Sequence, residues 1–353
     1  TSLLQGFEQI SRICRHWGPD KLLFGTGVPV NSPGAARAML AYAEITEEER
    51  QAIAARNLER LLGLDATAGL PEEEGRSRIM LDADNGRPLT RIPVYDLHGH
   101  IGPPGLDGLL GLTLGPQDAD PLVKRLDRVG IRALAVSNWE IQGGNAIGGN
   151  LVAAAAAEKY PGRILPYAVV NPNYPEDWQT IVEEFFRLRR FFGFKPYPTS
   201  QRRAISDPAF RGMLEFANRQ RLTILCHFGF EPLAGVSPGE IRILAPRYPQ
   251  AQFIIAHSGA SYRLADTVIP LALEFDNVWL EINYTSVPFG MISYLAEQAG
   301  TEKVLFGSDT PMRDPSPILG WVVYDHLDDS QRAAILGGNA QILFEKTGYR
   351  FPG

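Results

Sequence analysis

From residue 92 onward, eight short β-rich runs recur with helical stretches between them, and this rhythm leaves the chain few folds to adopt. The runs are "IPVYDLH" (92–98), "IRALAVS" (131–137), "ILPYAVV" (164–170), "FFGFKPY" (191–197), "LTILCHF" (222–228), "QFIIAHS" (252–258), "NVWLEIN" (277–283) and "KVLFGSD" (303–309). Their spacing averages about 30 residues, what a strand, a crossover helix and two loops require. Segments such as "PLVKRLDRVG" (121–130), "NLVAAAAAEKYPG" (150–162) and "AFRGMLEFANRQR" (209–221) carry apolar residues at helical spacing, with Gly, Pro or basic residues near their ends. Eight such units predict an α/β fold, a (β/α)8 barrel over residues 92–350. An open doubly wound sheet usually has fewer strands and a glycine-rich phosphate loop after the first, and no such loop follows here.

On that frame the histidines fall into a pattern. His98 and His100 are two residues apart, so on a strand both face the same side, here the barrel mouth. His227 and His257 close the fifth and sixth strands, Lys195 closes the fourth and Asp309 the eighth. All lie at C-terminal strand ends, where barrel enzymes hold their chemistry. A single strand-end histidine is more often a hydrogen-bonded structural residue than a ligand; four on the right strands point to a metal site. Imidazole nitrogens and a carboxylate suit Zn2+ or a similar divalent ion, with a coordination position left for water. Lys195 alone could contact substrate or a carboxylate instead. Cys226 should point away from the mouth and pack as a small apolar residue. His16 and His326 sit in helical surroundings and read as structural.

Composition narrows the function classes. A chain of 353 residues with 44% hydrophobic and 21% charged residues has ample material for a large core. A net charge of −6 without a long basic run argues against nucleic acid or an anionic membrane as partner. No apolar run reaches the ~18 residues that a membrane span needs. Cys14 and Cys226 have no metal or redox spacing, which fits a reducing cytoplasm.

The ordered motifs "DLHGH" (96–100), "GFKPYP" (193–198), "LCHFG" (225–229), "IIAHSGAS" (254–261), "VLFGSDTP" (304–311) and "ILGGNAQILF" (335–344) resemble the amidohydrolase superfamily, in its amidohydrolase-related (family 2) branch of TIM-barrel metal-dependent hydrolases. The resemblance covers about residues 92 to 347. It implies a one-metal site with His98, His100, His227 and Asp309 as ligands, Zn2+ being the expected ion. His257 would then be a base or electrophile beside the metal, or would hold a second ion together with a carboxylated Lys195. Many relatives carry a histidine shortly after that lysine, whereas Pro196 and Tyr197 follow here.

The implied chemistry is attack by water whose pKa the ion lowers towards ~7. Asp309 would take the water's proton and return it to the leaving group, and His257 would stabilise the oxyanion. The expected activity is hydrolysis of a small amide, ester or lactone, including carboxylate-bearing ones. The alternative is non-oxidative decarboxylation, which the same constellation serves in this branch; Lys195 favours the hydrolase pattern. A catalytically silent barrel kept for association is the third reading.

The first 91 residues contain a repeat. "DKLLFGTGVP" (20–29) matches "EKVLFGSDTP" (302–311), and with no gap Lys21, Phe24, Gly25, Pro29 and Asn57 recur as Lys303, Phe306, Gly307, Pro311 and Asn339, an offset of 282 residues. Residues 1–64 thus read as a second, degenerate copy of the last strand and helices of the same barrel type. Residues 65–91 read as a linker and residues 92–350 as the complete barrel. Gly27 stands where Asp309 stands, so the copy lacks the metal carboxylate. It is expected to pack on the barrel's exterior, to pair in a homo-oligomer or with a tandem barrel partner, or to be loosely ordered, because its strand lacks flanking strands.

Overall fold

The computed structural model describes residues 1, 4–65, 76–102, 118–138, 144–228 and 235–351, and the backbone of 108–109 and 112–113. Of the two glycine-rich segments that follow β-rich runs one and two, 102–117 lies largely outside the described residues, as do residues 139–143 of 137–150.

Eight strands form one parallel sheet in sequence order: β1 Val94–Ile101, β2 Ile131–Asn138, β3 Ile164–Ala168, β4 Gly193–Phe194, β5 Thr223–Cys226, β6 Gln252–Ile255, β7 Val278–Glu281 and β8 Val304–Leu305. Each overlaps one of the eight runs anticipated above, β1 reaching three residues and β2 one residue past the end of its run. The sheet curls until β8 meets β1, where Leu97 N donates to Phe306 O (3.0 Å) and His100 N to Thr310 O (2.7 Å). A nearly closed (β/α)8 barrel results.

The strands read as continuous apolar runs because both faces are covered. Ala133 and Ala135 of β2 face an inner layer with Leu165, Tyr167, Leu225 and Ile254, while Leu134 and Val136 belong to the outer layer shared with the helices. Cys226 packs in that outer layer, fully buried, as strand alternation predicted. The last helix, Asn339–Thr347, contributes Leu343 and Phe344 to the inner layer.

The 282-residue offset recurs element by element. Helix Gln9–Trp17 corresponds to Met291–Ala299, the 3-10 turn Pro19–Lys21 to Thr301–Lys303, helix Pro33–Tyr42 to Pro315–Val323, and the π-helical turn Ala52–Arg56 to Ala334–Gly338. Local bonding repeats too. Asn57 Nδ2 donates to the carbonyls of Pro19 and Leu22, and Asn339 Nδ2 to those of Thr301 and Val304. Helix Glu47–Gln51 starts with a capping box of Thr46 and Glu49, and Asp329–Ala333 with one of Asp328 and Gln331.

Residues 22–26 do not form a strand, since no neighbouring strand is there to pair with. Phe24 N donates to Ile53 O, and Leu23 O accepts from the Thr1 ammonium. The repeat lies on the barrel's exterior, with helix 33–42 packed against its own counterpart 315–323. Gly34 and Gly320 permit the close crossing: a Cβ on Gly34 would come within 2.4 Å of Gly320 O, and one on Gly320 within 2.2 Å of Gly34 O. Within residues 65–91, helix Arg78–Asp84 is capped by Ser77 and buries Ile79 and Ala83.

Candidate metal centre at the barrel mouth

A regular β1 would not direct its histidines inward. Tyr95 and Leu97 belong to the inner layer, and strict alternation would send His98 and His100 to the helix side. The pairing of β1 with β2 slips between Asp96 and Gly99, a bulge that reverses the alternation. Beyond it Ile101 packs in the outer layer, and Gly99 lies so close to Leu134 that a Cβ would stand 2.6 Å from its Cδ1. His98 and His100 thereby both reach Asp309.

Asp309 Oδ1 lies 2.8 Å from His100 Nε2 and 3.6 Å from His98 Nε2. Lys195 Nζ lies 3.2 Å from His98 Nε2, and His257 Nε2 lies 3.1 Å from His227 Nδ1. Two sets of ligand atoms lie within 4.8 Å of one another, His98 with His100 and Asp309, and His98 with His257 and Glu281. His227, half-buried, is in neither set among the described residues and meets the group through His257. His257 (φ 66°) and Asp309 (φ 62°) both adopt the left-handed conformation, which is uncommon for non-glycine residues. Asp309 is held there by its own N–H, which donates to His98 O at 2.6 Å across the seam between β8 and β1.

Burial sets the protonation states. It pushes all four imidazoles below the usual histidine value, His257 to about 4, so each is in the neutral form that ligates. Burial alone would raise Asp309, but the His100 hydrogen bond and the surrounding bases outweigh it and hold the carboxyl at about 2. Burial lowers the Lys195 ammonium to about 8.

This donor set fits a divalent ion. Ligand atoms ~2.1 Å from one ion stand roughly 3–4 Å apart, close to the Asp309 to His98 and His100 separations. Thr310 Oγ1 and Asn283 Nδ2 are also buried at this end of the barrel without a hydrogen-bond partner among the described residues.

Three supporting groups were given no role in the motif reading. Glu281, fully buried, accepts from His98 Nδ1 at 3.0 Å. Ser137 Oγ lies 3.1 Å from His100 Nδ1 and 2.8 Å from the Tyr197 hydroxyl, which gives the residue after Pro196 a role in the site. Asp96, which burial pushes up to about 7, accepts from the N–H groups of His98 and Ser308. Both β1 histidines are thus engaged through Nδ1 and leave Nε2 towards Asp309. The signal for Glu281 was a lone acidic residue inside the apolar run "NVWLEIN". Burial raises its carboxyl to about 8, and a cation on His98 would favour the charged form. Glu281→Gln is expected to weaken divalent-ion affinity about 10- to 100-fold in a metal titration, because the hydrogen bond that orients His98 loses its charge.

Among the described residues no helix is long and apolar enough to cross a membrane. No curated protein sequence matches the chain. Solved structures resemble it in fold. A 2,6-dihydroxybenzoate decarboxylase from Rhizobium is 16% identical with a TM-score of 0.56, over 72% of this chain and 99% of that one. A 5-carboxyvanillate decarboxylase from Novosphingobium aromaticivorans, complexed with manganese and a nitrobenzoic acid, is 14% identical with a TM-score of 0.56, over 73% and 97%. An uncharacterized TIM-barrel protein from Bordetella bronchiseptica is 16% identical with a TM-score of 0.59, over 73% and 100%. At such identities the likeness is one of fold. The amidohydrolase family model matches residues 95–346, from β1 through the last helix and over every strand end that carries the cluster, and the chain belongs to that family.

Proposed function

We propose that the chain is a metal-dependent, non-oxidative decarboxylase of a small aromatic carboxylate. The observation that carries this reading is the His98, His100 and Asp309 cluster, buried at the mouth of a barrel whose fold is shared with benzoate-type decarboxylases, one of them a manganese complex. His98, His100 and Asp309 would hold the ion, with His227 as the fourth ligand in the reading from resemblance. Zn2+ suits the nitrogen donors, and the manganese complex makes Mn2+ the second ion to test.

In the reaction the bond between ring carbon and carboxylate carbon breaks. The electron pair stays on the ring, a proton replaces the carboxylate, and carbon dioxide leaves. The ion, when bound, would supply positive charge for the substrate's oxygens and acidify water. Asp309, ionised and beside His100, would take up a proton and deliver it to the ring carbon. Lys195, with its ammonium lowered to about 8, would add positive charge beside the substrate carboxylate. His257 would contribute a neutral imidazole whose Nδ1 is fixed by Asn283.

Hydrolysis of a small amide, ester or lactone is the second reading, favoured by Lys195. A buried amine that loses its proton near neutrality is the form that adds carbon dioxide to give the carboxylated lysine of a two-metal site. The experiment assays purified protein with 2,6-dihydroxybenzoate and 5-carboxyvanillate, and in parallel with simple esters, lactones and amides, after loading with Mn2+ or Zn2+. Carbon dioxide release that chelation abolishes and added metal restores is the expected result. Ester, lactone or amide cleavage without carbon dioxide release would replace it with the hydrolase reading. Carbon dioxide release that survives metal stripping would remove the ion from the reaction.

A further inference from the structure

The N-terminal repeat meets the barrel through reciprocal contacts. Ser32 N donates to Val287 O at 3.1 Å, and Asp314 N donates to Gln5 O at 2.8 Å. Asp314 is the offset counterpart of Ser32, and Val287 that of Gln5. Each copy therefore gives the other the same bond, the signature of a local two-fold axis, which runs between helices 33–42 and 315–323. Catalytic equivalence does not accompany this symmetry, because Gly27 stands at the position of Asp309.

One side of the two-fold contact ends at the candidate site. The loop after β7 carries Asn283, whose Oδ1 and backbone O face His257 Nδ1, and Tyr284, whose ring centroid lies 5.8 Å from that of His257. Two residues further on, Ser286 Oγ donates to Asn31 Oδ1 and to Val30 O (3.3 Å), both in the repeat. The Ser32 to Val287 bond follows directly, with both residues buried. From the barrel side, Arg313 donates to Thr285 Oγ1. Arg313 and Asn31 are offset counterparts, so this loop is gripped by the same position of both copies.

We propose that residues 30–32 of the repeat clamp the loop 283–287 and thereby fix Asn283 against His257, making Asn31 a positioning residue for the barrel's site. A copy that has lost its carboxylate then still has work at the neighbouring mouth. The chain between residues 32 and 287 need not change for the clamp to act, because the grip is a short set of hydrogen bonds across the two-fold contact. The consequence for turnover rests on the reaction proposed above; the clamp itself does not.

The test uses the full chain with Asn31→Ala, and with Asn31→Asp as the conservative variant that keeps an oxygen to accept from Ser286. Amide hydrogen exchange over residues 283–289 should accelerate about five- to tenfold in Asn31→Ala, what losing one or two hydrogen bonds gives, and return towards the parent rate in Asn31→Asp. In histidine-labelled protein the imidazole resonances of His257, assigned with a His257→Gln variant, should shift in the alanine variant and recover in the aspartate variant. With an active carboxylate substrate, kcat/KM should fall by about the same factor while metal content stays constant. Unchanged exchange in Asn31→Ala overturns the clamp. Faster exchange with unmoved His257 resonances overturns the positioning role. Failure of the parent protein to decarboxylate any carboxylate would count against the proposed reaction, and the exchange and resonance measurements would still decide the clamp.

Discussion

Asp309→Gly will yield a protein that folds as well as its parent while losing its divalent metal and at least about a thousandfold of its turnover. The repeat supplies the reason for choosing glycine. Gly27 occupies the equivalent turn at φ 74°, close to the 62° of Asp309, so the backbone there accepts glycine. A non-glycine residue pays about 1 kcal/mol or more in the left-handed region, which glycine does not. Removing the carboxylate also relieves repulsion that helps raise Asp96 and Glu281. The lost bond to His100 works the other way, so the melting temperature should be equal or slightly higher. Metal content by elemental analysis and thermal unfolding on the same sample check both halves. Asp309→Ala, which keeps the strain, should be the less stable of the two. Full metal occupancy in the glycine variant would show that the ion, if bound, lies elsewhere.

Arg125→Met will destabilise the protein by about 3–5 kcal/mol, measured by urea unfolding near pH 7. Arg125 Nε and Nη2 donate to Asp314 at 2.9 and 2.8 Å, both side chains are buried, and Nη1 donates to Tyr42 O of the repeat at 2.9 Å. Truncation would leave a charge in the seam between repeat and barrel. Asp314 keeps donors from Glu8 N and Ser316, which puts the loss towards the lower end of that range. Burial opposes ionisation of Asp314, but Arg125 outweighs it and holds the carboxyl below its ordinary 3.8. A depressed carboxyl stabilises the fold above its unfolded value, and the benefit is lost as pH falls through the folded one. The difference between parent and variant should therefore be full at neutral pH and shrink below about pH 4. Adding Asp314→Asn to Arg125→Met should recover part of the loss by removing the stranded charge.

The family of the chain and the order of its strands were legible because both rest on local patterns. Every β-rich run became a strand, since a strand buried on both faces writes itself as an apolar run whatever lies beside it. That His98, His100 and Asp309 would meet at the barrel mouth was legible because all three lie at C-terminal strand ends, which a closed barrel brings together. The offset of 282 residues was visible without coordinates because an ungapped repeat keeps its capping, turn and glycine positions, as Thr46 and Asp328 or Asn57 and Asn339 do.

Other features had no local signature. Period-two reasoning gave His98 and His100 a common face, but the face they took was decided by the slip in register against β2, a property of two strands together. Glu281 and Asp96 support His98 of the first strand and Ser308 after the eighth strand from 183 and 212 residues away, and nothing in the periodicity of either segment encodes such a partner. The left-handed backbone at His257 and Asp309 likewise had no local signature, since Asp and His tolerate that conformation more often than other non-glycine residues without requiring it. The sequence by itself determined the eight-unit barrel, the strand-end positions of its cluster and the repeat at an offset of 282 residues, because those follow from spacing along one chain. Tertiary structure alone decided the inward turn of the histidines, the carboxylates behind them and the two-fold seat of the copy against the barrel, because each is a contact between segments whose meeting depends on the closed fold.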